Sequence, residues 1–275
     1  MILIRNKSII QDGLLKFANQ KIIELTGFSN EEAIKKPFID FVSDEHREFV
    51  GSRYKKRMLG EEPPIRYEID ILSKDGRKIP VEINASVIEY NKRPAEMAII
   101  RDITERVKSE KELRRLNRAL KVLSECNQTI VRAGEESKLL RDICNNTVYF
   151  GGYRLAWVGL AGQDEAKTVR PVAQSGYESG YLDKINITWA DTEQGRGPTG
   201  TAIRTGKTCI CRNILTDPGY APWRSEAVKR GYASSIALPL ISESRVLGAL
   251  NIYAVEPDAF DSEEVKLLTE LATQL

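Results

Sequence analysis

Between positions 66 and 102 apolar and polar residues alternate through three consecutive runs. In RYEIDILS, Tyr67, Ile69 and Ile71 alternate with Glu68 and Asp70; KIPVEINASVIEY repeats the pattern, and AEMAII follows. A period of two places every second side chain on one face, so each run reads as a strand with one apolar and one wet face. Lys74-Asp75-Gly76-Arg77 and Asn91-Lys92-Arg93-Pro94 are short polar turns between the runs. Strands that turn back so tightly are antiparallel neighbours, which makes a meander buried on one side.

Upstream of the meander the elements are short. SIIQ and LLKFAN flank Asp12-Gly13, a two-residue hairpin signal. Residues 19–25 predict a short helix. Ser29-Asn30-Glu31-Glu32 is a capping box that starts another, which Pro37 ends. A longer helix is predicted over 44–59, stopping at Gly60.

Downstream, the last strand feeds a long charged segment, RDITERVKSEKELRRL, with no Gly or Pro between them. Asp102-Ile103-Thr104-Glu105 matches a capping box with Asp102 at the N-cap and Glu105 at N3. Asp102 would accept from the N–H of Thr104 or Glu105, so strand passes to helix without a flexible linker. Further along, Leu113, Leu116, Leu120, Leu123, Asn127 and Ile130 step 3, 4, 3, 4, 3, the spacing of a coiled-coil seam with Asn127 at an a position. Ile103 and Val107 fall off this frame, so the seam slips near 109–112. A parallel two-stranded coil and an amphipathic helix lying on its own domain both fit such a short seam; the parallel homodimer is the expectation.

The second half opens helical, with a break at Ala133-Gly134 and another helix over 137–150 ending at Gly151-Gly152. YRLAWVGLA and TVRPVAQSG read as strands. GPTGTAIRTGK opens a helix before the strand TCICRNI, and APWRSEAVKRG reads as a helix. SSIALPLI and VLGALNIYAV form a hairpin, and Asp261 caps a last helix, DSEEVKLLTELATQL.

Composition excludes several functions. Of 275 residues 41% are apolar and 29% charged, ordinary for a globular chain. No run approaches the roughly 18 apolar residues of a membrane span, and no signal-peptide core is present, so a cytoplasmic location with no membrane segment is expected. Cys126, Cys144, Cys209 and Cys211 form no CxxC pair, and His46 is the single histidine, which argues against a zinc site and against a Ser-His-Asp triad elsewhere. Residues 1–105 carry 18 basic and 18 acidic groups, 106–141 carry 10 and 5, and the remainder 13 and 16. The basic excess therefore sits on the central helix, which has no aromatic residue to stack on a base, so no nucleic-acid partner is expected.

Two strands, several helices and three strands, with FANQKIIELTGFSNEEAIKKP, YEIDILSKDGRKIPVEINAS and IIRDITERVKSEKEL, resemble a PAS sensor domain over about residues 5–106. The flanking helix common before such domains is missing, as in an excised piece. YRLAWVGLA, RGPTGTAIRTGK, RGYASSIALPLI, VLGALNIYA and AFDSEEVKLLTELA resemble a GAF domain over about 117–275. The resemblance implies an α+β chain of two domains, each an antiparallel sheet covered by helices and joined by a long helix. The expected division is a PAS sensor at 1–104, a connecting signalling helix at 105–133 that is also the first GAF helix, and a GAF sensor at 134–275. It further implies a signal-transduction input module without catalytic residues of its own, sensing a small ligand or redox state. Its output domain would follow Leu275: a histidine kinase first, otherwise a diguanylate cyclase or a transcription regulator. Asp102, Thr104 and Glu105 would couple the PAS sheet to the helix, as the Asp-x-Thr of such domains does.

The resemblance also frames the cofactors. A covalent flavin needs a cysteine in the PAS domain, and none precedes Cys126. Cys209 and Cys211 match a bilin site poorly, and the Asn-Lys-Phe-Asp-Glu signature of cyclic-nucleotide GAF domains is absent. A haem-based gas sensor would use His46, but its neighbours Asp44, Glu45, Arg47 and Glu48 mark a solvated first turn. The remaining candidates for an unknown small ligand are Arg196 and Thr199, at the Gly-Pro-Thr-Gly helix start that suits a small anion, and Trp157, Trp189 and Trp223 as aromatic walls.

Overall fold

The computed structural model describes residues 6–275. Two compact units divide between Lys111 and Glu112. The first contains β1 (Asn6–Gln11), β2 (Leu14–Ala18), α1 (Gln20–Thr26), α2 (Asn30–Ala33), α3 (Asp44–Met58), β3 (Arg66–Leu72), β4 (Lys78–Tyr90) and β5 (Arg93–Asp102). Its sheet is antiparallel in the order β2-β1-β5-β4-β3. The meander register sets Tyr67 opposite Ile83 and Ile71 opposite Ile79, so the alternating apolar residues share one face. Both two-residue turns use left-handed backbone, Asp12 and Gly13 at φ 55° and 74°, Asn91 and Lys92 at 51° and 61°. That geometry matches the twist of the flanking strands. The capping box at Ser29 forms in both directions, with Glu32 N–H donating to Ser29 Oγ and Ser29 N–H to Glu32 Oε2.

Helix α4 (Thr104–Val131) joins the two domains. Its start differs from the capping box centred on Asp102. Asp102 is still paired with Val81 in the sheet, so the helix begins one residue later, with Ile103 as its N-cap. The Ile103 carbonyl accepts the Val107 N–H at 2.9 Å, while its own N–H donates to Pro80 O at 3.1 Å. Asp102 caps from one residue further out. Its carboxylate accepts the Thr104 N–H at 2.8 Å and the Thr104 hydroxyl at 2.6 Å. Glu105, one turn position nearer the start than expected, is exposed.

The second unit adds α5 (Glu136–Gly151), β6 (Leu155–Ala161), β7 (Val169–Gly176), α6 (Tyr181–Lys184), α7 (Pro198–Thr205), β8 (Cys209–Cys211), α8 (Arg224–Lys229), β9 (Ser234–Ser242), β10 (Arg245–Ala254) and α9 (Ser262–Thr273). Its antiparallel sheet runs β7-β6-β10-β9-β8. Both faces are covered. Val158, Leu238 and Leu250 pack with Val122, Ile143 and Leu268 of the long helices. Leu155, Trp157, Ala249 and Tyr253 face Tyr181, Ile203 and Tyr220 on the other side. This is why YRLAWVGLA and SSIALPLI are apolar almost throughout instead of alternating. Gly248 is required where β10 meets β6, since a Cβ there would lie 2.1 Å from Gly159 O.

The predicted leucine seam divides. Helix α4 buries Ala119, Val122 and Cys126 in the second domain's core, with Leu123 and Ile130 packed against it. Asn127 has its amide oxygen enclosed without a hydrogen bond, so it faces its own domain. Leu113 and Leu120 stay 58% and 45% exposed. Polar contacts fix the helix as well. Arg118 donates to both oxygens of the fully buried Glu264, on α9, and its guanidinium lies 4.7 Å over the Tyr153 ring. The Tyr153 hydroxyl donates to Glu264 Oε1 at 2.6 Å.

Removing one partner of such a pair strands a buried charge. Arg118→Ala is therefore expected to cost about 3–5 kcal/mol of the second domain's unfolding free energy. Urea titration measures it, and a loss below about 1 kcal/mol would place the pair in the weak class of surface bridges.

Candidate functional site

The first domain encloses a cavity between the apolar face of its sheet and the short helices that cover it. It offers about 80 Å³ to the centre of a water molecule. Ile10, Ile83 and Ala98 form the sheet side, and Ile22, Phe41 and Val50 come from the covering segments. The alternation of β3 and β4 supplies the apolar floor, and the Ser29 box and Pro37 hold the cover in its short, turning course.

Among the described residues, one charged group lines this cavity. Glu96, on β5, is paired with Arg57, in the last turn of α3; their side chains are 3% and 4% exposed. Arg57 also donates to Pro64 O at 3.4 Å. Burial raises the Glu96 carboxyl above its usual range, against the opposing pull of Arg57. Burial also pushes the nearby Tyr67 phenol up to about 12, with the Glu96 charge adding to the effect. Ser8, Thr26 and Tyr67 supply further polar side chains, and Thr26 Oγ1 donates to Ile22 O at 2.8 Å.

His46 is not among the groups around this cavity. It is half-buried at the start of α3, with Nδ1 2.9 Å from Ser43 Oγ and 3.3 Å from the Asp70 N–H that donates to it. It belongs with Glu45 and Asp70 at the domain surface, and Glu45 is itself paired with Lys78 at 2.7 Å. A haem in the cavity would not find His46 within it.

The second domain brings together some of the predicted residues. Thr199 and Trp223 line a small space at the start of α7, with Tyr181, Tyr220 and Tyr253. The space is about 10 Å³, the scale of one water. The Tyr181 and Tyr220 hydroxyls are 2.9 Å apart, and Thr199 Oγ1 donates to Asn251 Oδ1 at 2.8 Å. Burial raises the Tyr181 and Tyr220 phenols well above their usual range. Gly200 lets the helix start approach its surroundings, since a Cβ there would lie 2.3 Å from Gly195 O and 2.5 Å from Thr188 O.

The other three candidates do not line that space. Trp157 is fully buried in the same aromatic cluster, with its indole N–H unpartnered. Trp189 packs at the cluster's margin and donates to Gly162 O at 2.9 Å. Arg196 is exposed and paired with Asp191 at 3.0 Å, so it is engaged away from the helix start it was expected to serve. The cysteine thiols are poor nucleophiles. Burial pushes Cys126, Cys144 and Cys211 up to about 12.

Comparison with known proteins gives these units their families. A PAS domain family model matches residues 2–105, and a GAF domain model matches 133–275. The methyl sulfide methyltransferase-associated sensor of Methanosarcina acetivorans is 24% identical over 262 residues. The match covers 92% of this chain and 25% of that protein, so the chain spans about a quarter of the relative's length. A free methionine-R-sulfoxide reductase from Neisseria meningitidis is 19% identical, over 57% of this chain and 84% of that one, at a TM-score of 0.48. The GAF domain of a phosphoenolpyruvate-protein phosphotransferase from Coxiella burnetii is 20% identical, over 58% and 90%, also at 0.48.

Glu96 contributes one component of the first domain's pH response. Its folded pKa is raised above the ordinary 4.5. The stabilising contribution is then complete below that ordinary value and is lost as pH rises through the folded value. Denaturant titrations across a pH series should show a downward component starting near pH 4.5 that Glu96→Gln flattens. An unchanged slope in the variant would remove Glu96 as its source.

Proposed function

The chain belongs to the GAF-domain family, with a PAS domain ahead of it, and on that premise we propose that it is the sensory input region of a signalling protein. A small molecule in the first-domain cavity alters the sheet, and α4 carries the change into the second domain. The observation that carries this reading is the shared helix. Ile103 is buried where β5 ends, and the same helix lends Val122 and Cys126 to the GAF core. A two-state element whose equilibrium is biased at one end is the physical requirement for such transmission.

The first domain is the better ligand host, because its cavity is mostly apolar and larger than the space at the start of α7, which aromatic side chains fill. Asp102, Thr104 and Glu105 are read as the coupling residues, with Asp102 and Thr104 joined directly and Glu105 in the first turn. The chain itself acts by binding and not by catalysis, consistent with thiols held protonated by burial and a histidine tied into surface hydrogen bonds. The output would be a histidine kinase outside these residues; the sensor from Methanosarcina, of which this chain matches a quarter, supports an output beyond the sensory part. Among the described residues no helix is long and apolar enough to cross a membrane, and we read the module as cytoplasmic.

The module works as a parallel homodimer through the exposed edge of α4. Leu113 and Leu120, seven residues apart, keep apolar surface on the side left free by Ala119, Val122 and Cys126. Sedimentation equilibrium should give a dimer for the native chain and a monomer for the Leu113→Glu, Leu120→Glu variant. Monomer alone for the native chain at tens of micromolar would refute the dimer. Transmission is tested by amide hydrogen exchange along α4, with and without xenon in the first-domain cavity. Exchange in residues 112–131 should change in the native chain and change less in Asp102→Ala, whose cap loss costs about 1 kcal/mol. Identical exchange with the cavity filled and empty would rule out this route.

A further inference from the structure

The cavity of the first domain is mostly apolar, and Glu96, its one charged group among the described residues, defines what it can hold. Arg57 engages Glu96 through Oε2, which leaves Oε1 as an acceptor at the cavity wall. Ser8 lies on β1 beside it. The sheet register sets Ile10 opposite Glu96 and Ser8 opposite Ala98, so Ser8 is the diagonal neighbour of Glu96 on the same inward face. Ser8 is buried and its hydroxyl is both a donor and an acceptor. Glu96 and Ser8 therefore offer one charged acceptor and one hydroxyl on a mostly hydrocarbon wall, while the Thr26 hydroxyl already donates to Ile22 O.

We propose that this cavity binds a neutral short-chain molecule bearing one hydroxyl, of the size and chemistry of a three-carbon alcohol, with the hydroxyl held by Glu96 and Ser8. The inference rests on the reading of this cavity as the ligand site and adds the ligand's class. Size comes first. A cavity of about 150 Å³ holds benzene, and a water's share of liquid is about 30 Å³. The 80 Å³ here then suits about three or four non-hydrogen atoms.

Charge comes second. Arg57 and Glu96 already cancel, and both are almost completely buried. A cationic or anionic guest would leave a net charge in an apolar enclosure, at a cost of several kcal/mol. A neutral hydroxyl leaves the balance intact. It donates to Glu96 Oε1 and accepts from the Ser8 hydroxyl, while its alkyl chain lies against Ile83, Ala98 and Ile100. A hydrocarbon of the same size would fit the space but leave Oε1 without a donor.

The test uses the full 275-residue chain, with methyl NMR of the isoleucines and alanines as the readout. Three probes are titrated: 1-propanol, n-propylammonium and xenon. 1-Propanol is expected to shift the Ile83, Ala98 and Ile100 methyls saturably and more tightly than n-propylammonium. In the double variant Arg57→Leu, Glu96→Leu, which replaces the buried pair by apolar groups and so avoids a stranded charge, 1-propanol should bind about tenfold or more weaker. Xenon should still enter that variant. Ser8→Ala gives a second, milder loss without touching the ion pair. Tighter binding of n-propylammonium overturns the neutral class. Equal 1-propanol affinity in the native and double-variant chains overturns the role of Glu96 while leaving the cavity as a ligand site. Failure of both 1-propanol and xenon to enter the native chain overturns the cavity reading itself.

Discussion

Ile103 holds the junction on which the rest of this chain depends. Its N–H closes a hydrogen bond to Pro80 across the sheet edge, and its carbonyl opens the ladder of α4. Its side chain is buried in the first domain. Sheet and helix therefore share one residue, and no glycine intervenes to uncouple their backbone geometry. Further along the same helix, Ala119, Val122 and Cys126 are fully enclosed in the second domain, and Arg118 is fastened to Glu264. Under the sensory reading, a helix with one end in each domain is the element through which a change in one packed interior would reach the other, because close-packed interiors give way in discrete steps and not continuously.

The two domains build comparable sheets and treat the space beside them differently. The first leaves one sheet face half-wet and covers the other with short, turning segments, which do not fill the volume below them. The second is covered on both faces, and its large aromatic side chains occupy the region near the start of α7. The Tyr181 and Tyr220 hydroxyls satisfy one another, while the Trp157 indole N–H and Ser235 Oγ are buried without partners. Difference in pocket size thus follows from side-chain choice on a common architecture.

Local features were legible in the sequence and distant pairings were not. The hairpin turns at Asp12-Gly13 and Asn91-Lys92, the Ser29 box and the Asp261 cap all rest on contacts within four residues, and each forms. The Asp102 cap shifted by one position because sheet pairing with Val81 holds that residue in the strand, a constraint set twenty-one residues away. The leucine seam was read from spacing alone, which cannot tell which side of a helix its own domain will cover. Arg57 and Glu96 gave almost no signal. Arg57 closes the basic run Lys55-Lys56-Arg57, which reads as a solvated helix end, and Glu96 is a single acid inside the apolar run AEMAII. An acid on the inward register of a strand was the available clue, and only the pairing of Ile10 with Glu96 across β1 and β5 makes that register certain.

The Arg57–Glu96 pair also links the cavity to the junction. Buried ion pairs contribute little net stability compared with well-packed apolar residues, so stability alone does not account for this one. Its position does more. Glu96 lies on β5, six residues before Asp102, and Arg57 anchors the covering helix α3 to that strand. A guest that hydrogen-bonds to Glu96 Oε1 shares the carboxylate whose other oxygen ties α3 to β5. Whatever it does to that tie is felt by the strand whose last residue caps α4. Under the sensory reading, the most polar point of the cavity and the start of the transmitting helix are two ends of one strand, and the backbone between them is held in register by β4 on one side and β1 on the other. A change in how the strand is held is then more readily passed along it than absorbed, which is what a sensor needs from the element between its ligand and its output.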